Sequence, residues 1–312
     1  MNTGKKAVVI PCYKVARHIA EVIRGIPPHI EHVLVVDDAC PQGSGRIAEQ
    51  LGDPRVRVLY HPANQGVGAA MVTGYRQALE LGCELVIKMD GDGQMDPHCL
   101  DPLIAPLVCG EADYAKGNRF SDLRALRAMP TVRLIGNNIM SFLVKAFSGY
   151  WNLMDPTNGY TAITRATLEK LDLNKLARRY FFESDLLLHL NLVNAVVRDV
   201  PMPARYGSET SSLRAREVLW SFPPRLVCGL LRRILLKYFI YDFNLASVYL
   251  LLGVPLFLWG VLFGLAEWLD SYARGVPKTA GTIMLAALPL IVSFEMLLQA
   301  IGIDIHSVPR KR

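Results

Sequence analysis

The sequence lacks several features that mark common protein classes. Its 312 residues include only six cysteines, none of them in a C-x-x-C pair, so neither a zinc ribbon nor a thioredoxin-like site is expected. The 24 glycines and 19 prolines follow no period, which excludes collagen-like and low-complexity chains. Charged residues make up only 20% of the chain and hydrophobic residues 51%. A chain of this composition can bury a sizeable core and is not intrinsically disordered.

The charge balance is mildly basic, and the position of the excess indicates a membrane. Lys and Arg total 34 against 28 Asp and Glu, a net charge of +6. Such an excess suits nucleic acid, anionic lipid or phosphorylated substrates. Seven basic residues flank apolar segments, namely Arg225, Arg232, Arg233, Lys237, Arg310, Lys311 and Arg312. This placement is typical of the cytoplasmic edge of a membrane, so no nucleic-acid partner is expected.

The first third of the chain alternates short apolar runs with stretches of helical spacing. The apolar runs are Ala7–Ile10, His32–Val36, Val56–Tyr60 and Leu85–Met89, and the helical stretches between them are His18–Ile26, Arg46–Leu51 and Val67–Leu81. The alternation predicts an α/β fold with a Rossmann-like, mostly parallel sheet and helices on both faces. Functional loops are then expected at the carboxyl ends of the strands. The first run is too short for the apolar core of a secretory signal peptide, so none is expected.

The middle of the chain is less regular. Strands are predicted at Asp113–Arg119 and Ala195–Val200, and helices at Val132–Phe147 and Phe182–Val193. No internal repeat is visible.

Two long apolar stretches follow, Leu245–Leu269 and Ala280–Ile303, each with a single acidic residue. About 20 residues suffice to cross a bilayer, so a transmembrane hairpin is predicted in preference to a buried core. Seven basic residues lie on the outer sides of the pair and two, Arg274 and Lys278, between the spans. Positive charge favours the cytoplasm. The protein is therefore expected to be a multi-pass protein of the plasma or inner membrane, with both termini cytoplasmic.

The chain is accordingly divided into three parts. Residues 1–212 are expected to form a cytoplasmic catalytic domain, 213–243 a juxtamembrane amphipathic segment, and 244–312 the hairpin with its short basic tail. Glu217–Tyr241 mixes apolar and basic residues, which indicates a helix in the membrane interface; a plain core helix is the alternative. Glycines within the first span provide small faces for packing, either against another copy of the chain or within the hairpin. They are Gly253, Gly260 and Gly264.

The strongest site signal directly follows the predicted strand Leu85–Met89. Asp90 and Asp92 stand at i and i+2 of an extended segment, so their carboxylates can point the same way and share one divalent cation. Hard oxygen ligands suit Mg²⁺ or Mn²⁺. An EF-hand loop starting at Asp90 is excluded because Met95 stands where that loop needs glycine. A simple Asp/Gly turn with a helix cap at Asp96 is the alternative.

Two weaker signals also follow predicted strands. Asp37 and Asp38 could accept hydrogen bonds from a base or a ribose, or could cap a turn. Asn64–Ala70 opens a helix and is similar to a phosphate loop. A dinucleotide fingerprint wants a third glycine or alanine where Met71 stands, so small residues for close packing are the favoured interpretation. No Walker A sequence occurs.

Taken in order, these motifs resemble glycosyltransferase family 2, the GT-A nucleotide-sugar transferases. The matching stretches are Val9–Tyr13, Val35–Asp38, Asn64–Ala70, Asp90–Gln94 with Pro97, and Gly117–Arg119. Further on, Asp155–Tyr160 resembles the segment before the family's acceptor site. A GT-A domain followed by two spans is similar to the polyprenyl-phosphate glycosyltransferases of the dolichol-phosphate mannose synthase branch.

The resemblance implies roles for residues of this chain. Pro11, Tyr13, Asp37, Asp38 and Asp90 would contact the nucleotide. Asp90, Asp92 and Gln94 would hold the metal and the donor diphosphate. Phosphates would be bound by Arg119, Arg133 and Arg205. The acidic candidates for catalysis are Asp92, Asp155, Glu183 and Asp185, although helix capping explains the last two equally well.

The implied reaction is inverting transfer of a sugar from a UDP- or GDP-sugar to a polyprenyl phosphate at the cytoplasmic leaflet, in cell-envelope polysaccharide biosynthesis. A lipid monophosphate is already anionic near neutral pH, so it needs no general base. Two alternatives stay open: a membrane-anchored transferase acting on a lipid-linked diphosphate sugar or a polysaccharide, and a silent nucleotide-binding scaffold. Departures from the family pattern at Lys14, Val15, Ala39–Ser44 and Met95 leave the sugar and the nucleotide undecided.

Overall fold

The computed structural model describes residues 4–121, 131–203 and 215–311. The side chains of residues 121, 131–135, 137 and 215–222 lie outside that description. The described chain forms two compact units, Met1–Leu230 with Pro309–Arg312, and Leu231–Val308. The two units are described separately.

The first unit is built on a seven-stranded mixed sheet in the order β3-β2-β1-β4-β6-β5-β7. The strands are β1 Lys6–Cys12, β2 His32–Asp37, β3 Val56–Tyr60, β4 Leu85–Lys88, β5 Tyr114–Asn118, β6 Thr161–Thr164 and β7 Val197–Pro201. All pairings are parallel except those of β6, which runs antiparallel to both β4 and β5. The mostly parallel sheet predicted from the sequence is therefore confirmed.

Helices connect the strands and cover both faces of the sheet. They are α1 Ile19–Gly25, α2 Ser44–Gln50, α3 Val67–Glu80, α4 Leu100–Val108, α5 Thr131–Ser148, α6 Arg165–Leu168 and α7 Phe182–Leu192. Short 3₁₀ turns occur at Pro97–Cys99, Arg119–Ser121 and Leu173–Lys175.

The apolar runs become strands because they can be buried on both faces, as is typical of parallel sheets. The residues Ala7, Val8, Val9 and Ile10 of β1 are all 0% exposed. Val8 and Ile10 share a core with α1 and α4, whereas Val9 lies against Gly74 of α3 on the opposite face. The carboxyl ends of β1, β2 and β4 consequently meet at one edge of the sheet, where the predicted site residues follow.

The predicted boundaries differ from the structure in a few places. The last strand begins at Val197 rather than Ala195, and the fourth ends at Lys88 rather than Met89. The strand β6 and the helices α4 and α6 were not predicted.

The chain continues through α8, Ala215–Leu235, and a π-helical turn, Leu236–Tyr241. Within the second unit, α9 spans Leu245–Arg274 and α10 spans Ala280–His306. Both are long and apolar enough to cross a membrane, by length and composition. This length and composition suggest membrane association, and the bounds of the two helices extend the predicted spans by a few residues.

A buried ion pair lies in the second unit. Arg233, only 1% exposed, donates two hydrogen bonds to Asp304, at 2.7 and 2.9 Å. The hydroxyl of Tyr238 donates to the same carboxylate. Glu295, in contrast, is exposed on α10 and accepts a hydrogen bond from Gln299, 2.9 Å away.

Candidate active site

A cavity of about 380 Å³ opens at the carboxyl end of β4. It brings together five residues predicted from the sequence, namely Asp90, Asp92, Gln94, Arg119 and Glu183. They come from three separate parts of the chain, which the sheet order places side by side. Tyr160, Tyr180 and Met202 provide much of the apolar wall.

Lys88 lies beneath this cavity and links its acidic residues. Its side chain is 2% exposed, and its ammonium contacts Asp90 Oδ1 at 2.8 Å and Glu183 Oε1 at 3.2 Å. It also donates to the carbonyl of Gly159 at 3.2 Å. Burial alone lowers the pKa of Lys88, but the two carboxylates outweigh burial and raise the pKa above its usual value. Lys88 therefore stays charged and holds Asp90, Glu183 and Gly159 together.

A second buried lysine supports the same wall. Lys116 is 0% exposed and donates to the carbonyl of Asn158, one residue before the carbonyl that Lys88 contacts. Burial lowers the pKa of Lys116 to about 8, although the carboxylates of Glu183 and Asp155 act in the opposite direction. Sequence reasoning missed both lysines. The available signal was a basic residue within an otherwise buried strand, at the end of β4 for Lys88 and in the middle of β5 for Lys116.

Asp155 contacts Arg119 and does not line the cavity as it is described. Its carboxylate is 0% exposed and accepts from Arg119 Nε at 2.8 Å and from Arg119 Nη2 at 3.2 Å. Thr157 donates to the same carboxylate at 3.1 Å. A two-point contact of this kind fixes the plane of a guanidinium. Asp155 thus orients Arg119 toward the cavity.

Asp185 caps a turn. Its Oδ2 accepts from the backbone amide of Ala177 at 2.8 Å, and the residue is not among those that line the cavity in the described chain. Glu183, two residues earlier, lines the cavity itself. Ala177 precedes α7, and the residue at that helix's N-terminal cap makes no side-chain capping hydrogen bond. For Asp185, helix capping and catalysis therefore both stay predictions.

Asp37 and Asp38 organise the loops at the carboxyl end of β2. Asp37 accepts from the backbone amides of Cys40 and Gly45, both at 2.7 Å. Asp38 accepts from His61 Nδ1 at 2.7 Å and from the amides of Gln65 and Gly66 at 2.9 and 2.7 Å. Both carboxylates are buried, and they hold the loops that follow β2 and β3. Direct contact with a nucleotide stays a prediction.

The remaining predicted residues fall in different places. Pro11 lies near the end of β1, and the exposed Tyr13 carries the ammonium of Lys14 over its ring, 5.3 Å from the centroid. Arg133 belongs to α5, but its side chain lies outside the described part of the chain. Arg205 lies outside the described residues altogether.

The loop that is similar to a phosphate loop has another role in the structure. A Cβ on Gly68 would lie 2.1 Å from the carbonyl oxygen of Ala177, and one on Gly66 would lie 2.7 Å from that of Arg178. The amide of Ala69 donates to the Arg178 carbonyl at 3.0 Å. These glycines therefore allow the segment 177–179 to lie directly on the start of α3. The favoured interpretation, small residues for close packing, matches this geometry, although the partner is a loop rather than the sheet.

The donors around Asp90 are compatible with a divalent cation. No group of three His, Cys, Asp or Glu side chains suited to a metal is found among the described residues, so the protein offers two carboxylates, Asp90 and Asp92. Mg²⁺ is commonly bound by one or two carboxylates together with substrate phosphates and water. Asp92 Oδ1 accepts from the Gln94 amide at 2.9 Å, which orients that carboxylate. A Cβ on Gly159 would lie 3.1 Å from Asp90 Oδ2, so glycine leaves this side of Asp90 open.

Comparison with known proteins agrees with this geometry. Residues 7–172 match the family description "Glycosyl transferase family 2". The chain therefore belongs to glycosyltransferase family 2, as its motifs predicted.

The names of two relatives refer to sugar transfer involving polyprenyl phosphates. The UDP-N-acetylglucosamine–dolichyl-phosphate N-acetylglucosaminyltransferase of Methanococcus voltae is 26% identical over 230 residues, which is 69% of this chain and 91% of that protein. The polyprenol monophosphomannose synthase of Mycolicibacterium smegmatis is 32% identical over 191 residues, 59% of this chain and 71% of that protein. The chain is thus a family 2 glycosyltransferase related to polyprenyl-phosphate sugar transferases.

A solved structure shares the fold. The glucosyl-3-phosphoglycerate synthase of Mycobacterium tuberculosis, crystallised with Mn²⁺ and UDP-glucose, superposes with a TM-score of 0.54 at 20% identity. The match covers 74% of this chain and 79% of that one. The GT-A-like fold expected from the sequence is thereby confirmed.

Proposed function

We propose that this transferase moves a sugar from a nucleoside-diphosphate sugar to a polyprenyl phosphate at the cytoplasmic leaflet, with inversion at the anomeric carbon. The observation that carries the proposal is the cavity at the end of β4. It joins the carboxylate pair Asp90 and Asp92 to Arg119, whose guanidinium Asp155 orients. One part of the cavity suits a cation-bound diphosphate and the other suits a phosphate anion.

The reaction is a single displacement. A phosphate oxygen of the acceptor forms a bond to the anomeric carbon while the bond from that carbon to the donor's β-phosphate oxygen breaks. The nucleoside diphosphate leaves with the electron pair. Because the acceptor phosphate is already anionic at neutral pH, no proton has to be removed. The carboxylates of Glu183 and Asp155 form ion pairs with Lys88 and Arg119. These contacts support a mechanism in which neither carboxylate acts as a general base.

Basic residues of the chain would hold the acceptor phosphate and the donor diphosphate close to each other. Arg119, with Arg133 and Arg205 as further candidates, would offset the repulsion between the acceptor phosphate and the donor diphosphate. Mg²⁺ or Mn²⁺ bound by Asp90 and Asp92, with Gln94 nearby, would neutralise charge on the departing diphosphate. Pro11, Tyr13, Asp37 and Asp38 would border the nucleotide.

The arrangement of the chain supports a lipid acceptor. The helices α9 and α10 are long and apolar enough to cross a membrane, and seven basic residues flank them on the outer sides; both features support a membrane location. We infer a cytoplasmic catalytic unit over residues 1–212, an interfacial segment over 213–243, and a hairpin over 244–312. A homo-oligomer would have to use another surface, because Gly253, Gly260 and Gly264 lie against α10 of the same hairpin.

Transfer of radiolabelled sugar into organic-extractable lipid tests the proposal. Purified full-length protein would receive a panel of UDP- and GDP-sugars, undecaprenyl or dolichyl phosphate, and Mg²⁺ or Mn²⁺. We expect label in lipid with one donor, loss of label with EDTA, and a loss of about 100-fold or more in Asp92→Asn.

The matched control is Asp101→Asn, an exposed carboxylate that pairs with His29 at 2.8 Å on the surface; it should retain full activity. Failure of every donor to label lipid, despite measurable nucleotide binding, would redirect the proposal to another acceptor or to a silent scaffold.

A further inference from the structure

A second cavity, of about 530 Å³, lies in the first unit. Its walls are Asn64, Gln65, Ala177, Arg178, Arg179, Phe181 and Arg225. None of these residues lines the cavity at β4. The proposed transfer reaction does not use this second cavity.

The wall that carries two of the arginines is firmly seated. The carbonyl of Arg178 accepts from the amide of Ala69, and the backbone of 177–179 lies so close to Gly66 and Gly68 that neither position has room for a Cβ. The backbone positions of Arg178 and Arg179 are therefore set by α3, so the two guanidinium groups start from a fixed base. The third, Arg225, comes from α8.

Among the described residues, every charged side chain that lines the cavity is basic. No carboxylate lines it, and no ion pair within 4 Å is found for Arg178, Arg179 or Arg225 in the described chain. Two carboxylates bind backbone amides of residues that line the cavity: Asp38 accepts from the amide of Gln65 and Asp185 from that of Ala177. Neither carboxylate is itself part of the lining. Three unpaired guanidinium groups around one cavity are suited to a phosphate group.

The helix that contributes Arg225 indicates where such a phosphate would come from. Val227, Leu231 and Leu235 stand at i, i+4 and i+8 on α8 and are 54%, 61% and 55% exposed. Residues with this spacing share one helix face, so α8 presents an apolar stripe beside a basic residue. That combination is typical of a helix lying in the plane of a membrane surface. A soluble anion would make no use of the stripe, whereas a lipid would contact both features.

We propose that this cavity binds the phosphate headgroup of an anionic membrane lipid, at a site separate from that of the acceptor. Arg178, Arg179 and Arg225 contact the phosphate oxygens, and the side chain of Gln65 in the same wall contacts the rest of the headgroup. The acyl chains contact the apolar side chains that follow Arg225 on α8, beginning with the exposed Val227. The site does not depend on the sugar-transfer reaction, and it holds whether or not the proposed acceptor is correct.

Lipid retention by the full-length protein tests the proposal. The protein in neutral detergent is titrated with dihexanoyl-phosphatidylglycerol or dihexanoyl-phosphatidylcholine, and bound lipid is counted by native mass spectrometry. We expect a preference for phosphatidylglycerol that weakens about 100-fold when all three arginines are changed to Gln. Each basic residue near an anionic lipid surface contributes about fivefold in affinity.

The matched control removes three other exposed arginines from the same unit, Arg24, Arg57 and Arg198. Its charge change is identical, so nonspecific attraction falls equally while the cavity stays intact. This variant should keep the wild-type affinity within about threefold. Equal weakening in the two triple variants would overturn the proposal, because the preference would then be a property of net charge.

Two further experiments distinguish a lipid site from a free-anion site and from a loss of folding. Inorganic phosphate added at millimolar concentration should not displace phosphatidylglycerol; displacement would identify a free-anion site and overturn the lipid assignment. If the triple variant melts at a lower temperature than wild type, Arg225→Gln alone replaces it. That side chain is exposed, and its loss should weaken phosphatidylglycerol binding about fivefold. No change in the single variant would contradict the proposal.

Discussion

Lys88 shows how one buried residue can organise an active site. It contributes no surface to the cavity, yet its ammonium reaches a carboxylate from the β4 loop, a carboxylate from α7 and a carbonyl that precedes β6. Without it, Asp90 and Glu183 would face each other as like charges. Lys88 is therefore a positioning residue rather than a catalytic one.

Replacement of Lys88 by Met should lower the transfer rate 10- to 100-fold, which is the range for residues that orient metal ligands. The reason is that Asp90 loses the contact that holds its carboxylate. Steady-state kinetics over a range of Mg²⁺ concentrations should show the half-activating concentration shifting together with kcat. If Lys88 only stabilised the fold, less of the variant would be folded and kcat would fall. The half-activating Mg²⁺ concentration of the folded enzyme would then equal that of wild type. Lys175→Met, at an exposed lysine paired with Asp172, is the control and should behave like wild type.

Asp199 makes stability depend on pH. Burial raises the pKa of its carboxyl to about 6, above its ordinary value, and the nearby Asp155 raises it further. The Met154 amide and the ammonium groups of Lys116 and Lys145 lower the pKa, but burial outweighs them. A raised carboxyl pKa means that the native state holds a proton that the unfolded state releases. Stability therefore falls as pH rises from about 4 to about 6 and is then level.

The variant Asp199→Asn keeps an acceptor for the Met154 amide but removes the buried charge. We expect a melting temperature a few degrees above wild type at pH 7.5, corresponding to about 1–2 kcal/mol. The gap should narrow at pH 4.5, where native Asp199 is itself neutral. Thermal melting of the full chain in detergent at both pH values checks this. A constant gap would show that the effect is not due to ionisation.

At the scale of elements, the start of α3 and the segment before α7 act as one piece. Gly66 and Gly68 allow the 177–179 backbone to pack on α3, while Asp38 ties the preceding loop to β2. The same segment leads to Tyr180 and Glu183 at the cavity. A sequence motif that resembles a phosphate loop thus serves the packing of a helix against a loop.

Gly68→Ala should destabilise the protein by about 1–3 kcal/mol, because the added Cβ meets a backbone carbonyl at 2.1 Å. Gly136→Ala is the matched control. It lies in α5, where a Cβ meets nothing within 4 Å, and it should stabilise the chain by up to about 1 kcal/mol through helix propensity. Thermal melting of both variants measures the difference. Equal shifts in the two would refute the packing argument.

Asp304 tests the ion pair of the second unit. Asp304→Asn would leave the guanidinium of Arg233 buried without a counter-charge, which costs about 3–5 kcal/mol. We expect a clear fall in the melting temperature in detergent. Glu295→Gln, at an exposed position of the same helix, should stay within about 0.5 kcal/mol of wild type. A neutral result for Asp304→Asn would mean that water solvates the pair.

At the scale of the whole molecule, the chain combines a family 2 glycosyltransferase unit with two helices that suit a membrane. The distribution of basic residues predicts that both termini and the catalytic unit share the cytoplasmic side. Only the turn between α9 and α10 would then face outward.

Cysteine labelling in intact cells checks this topology. A membrane-impermeant maleimide should label Val276→Cys, whose native side chain is exposed in that turn. The native exposed Cys109 should react only after lysis, because the proposed orientation places its unit in the cytoplasm. Labelling of the wild-type chain in intact cells would contradict the predicted orientation.

Much of the fold followed from local patterns. The runs that form β1, β2 and β4 are apolar because both faces of a parallel sheet are covered. Each of these strands can therefore be predicted from its own short stretch of sequence. The strand β6 was not predicted, because its four residues, Thr161–Thr164, carry little pattern. Its antiparallel pairing with β4 and β5 arises from contacts distant in sequence.

The sequence by itself determined the family, the sheet type, the carboxylate pair at the end of β4 and the apolar hairpin, because each is encoded in a short, contiguous pattern. Only the tertiary structure decided which groups those residues meet. It placed Lys88 beside Glu183, paired Arg119 with Asp155, and gathered Arg178, Arg179 and Arg225 around one cavity. These contacts join residues from 36 to 95 positions apart in the chain, and packing alone brings such distant groups together.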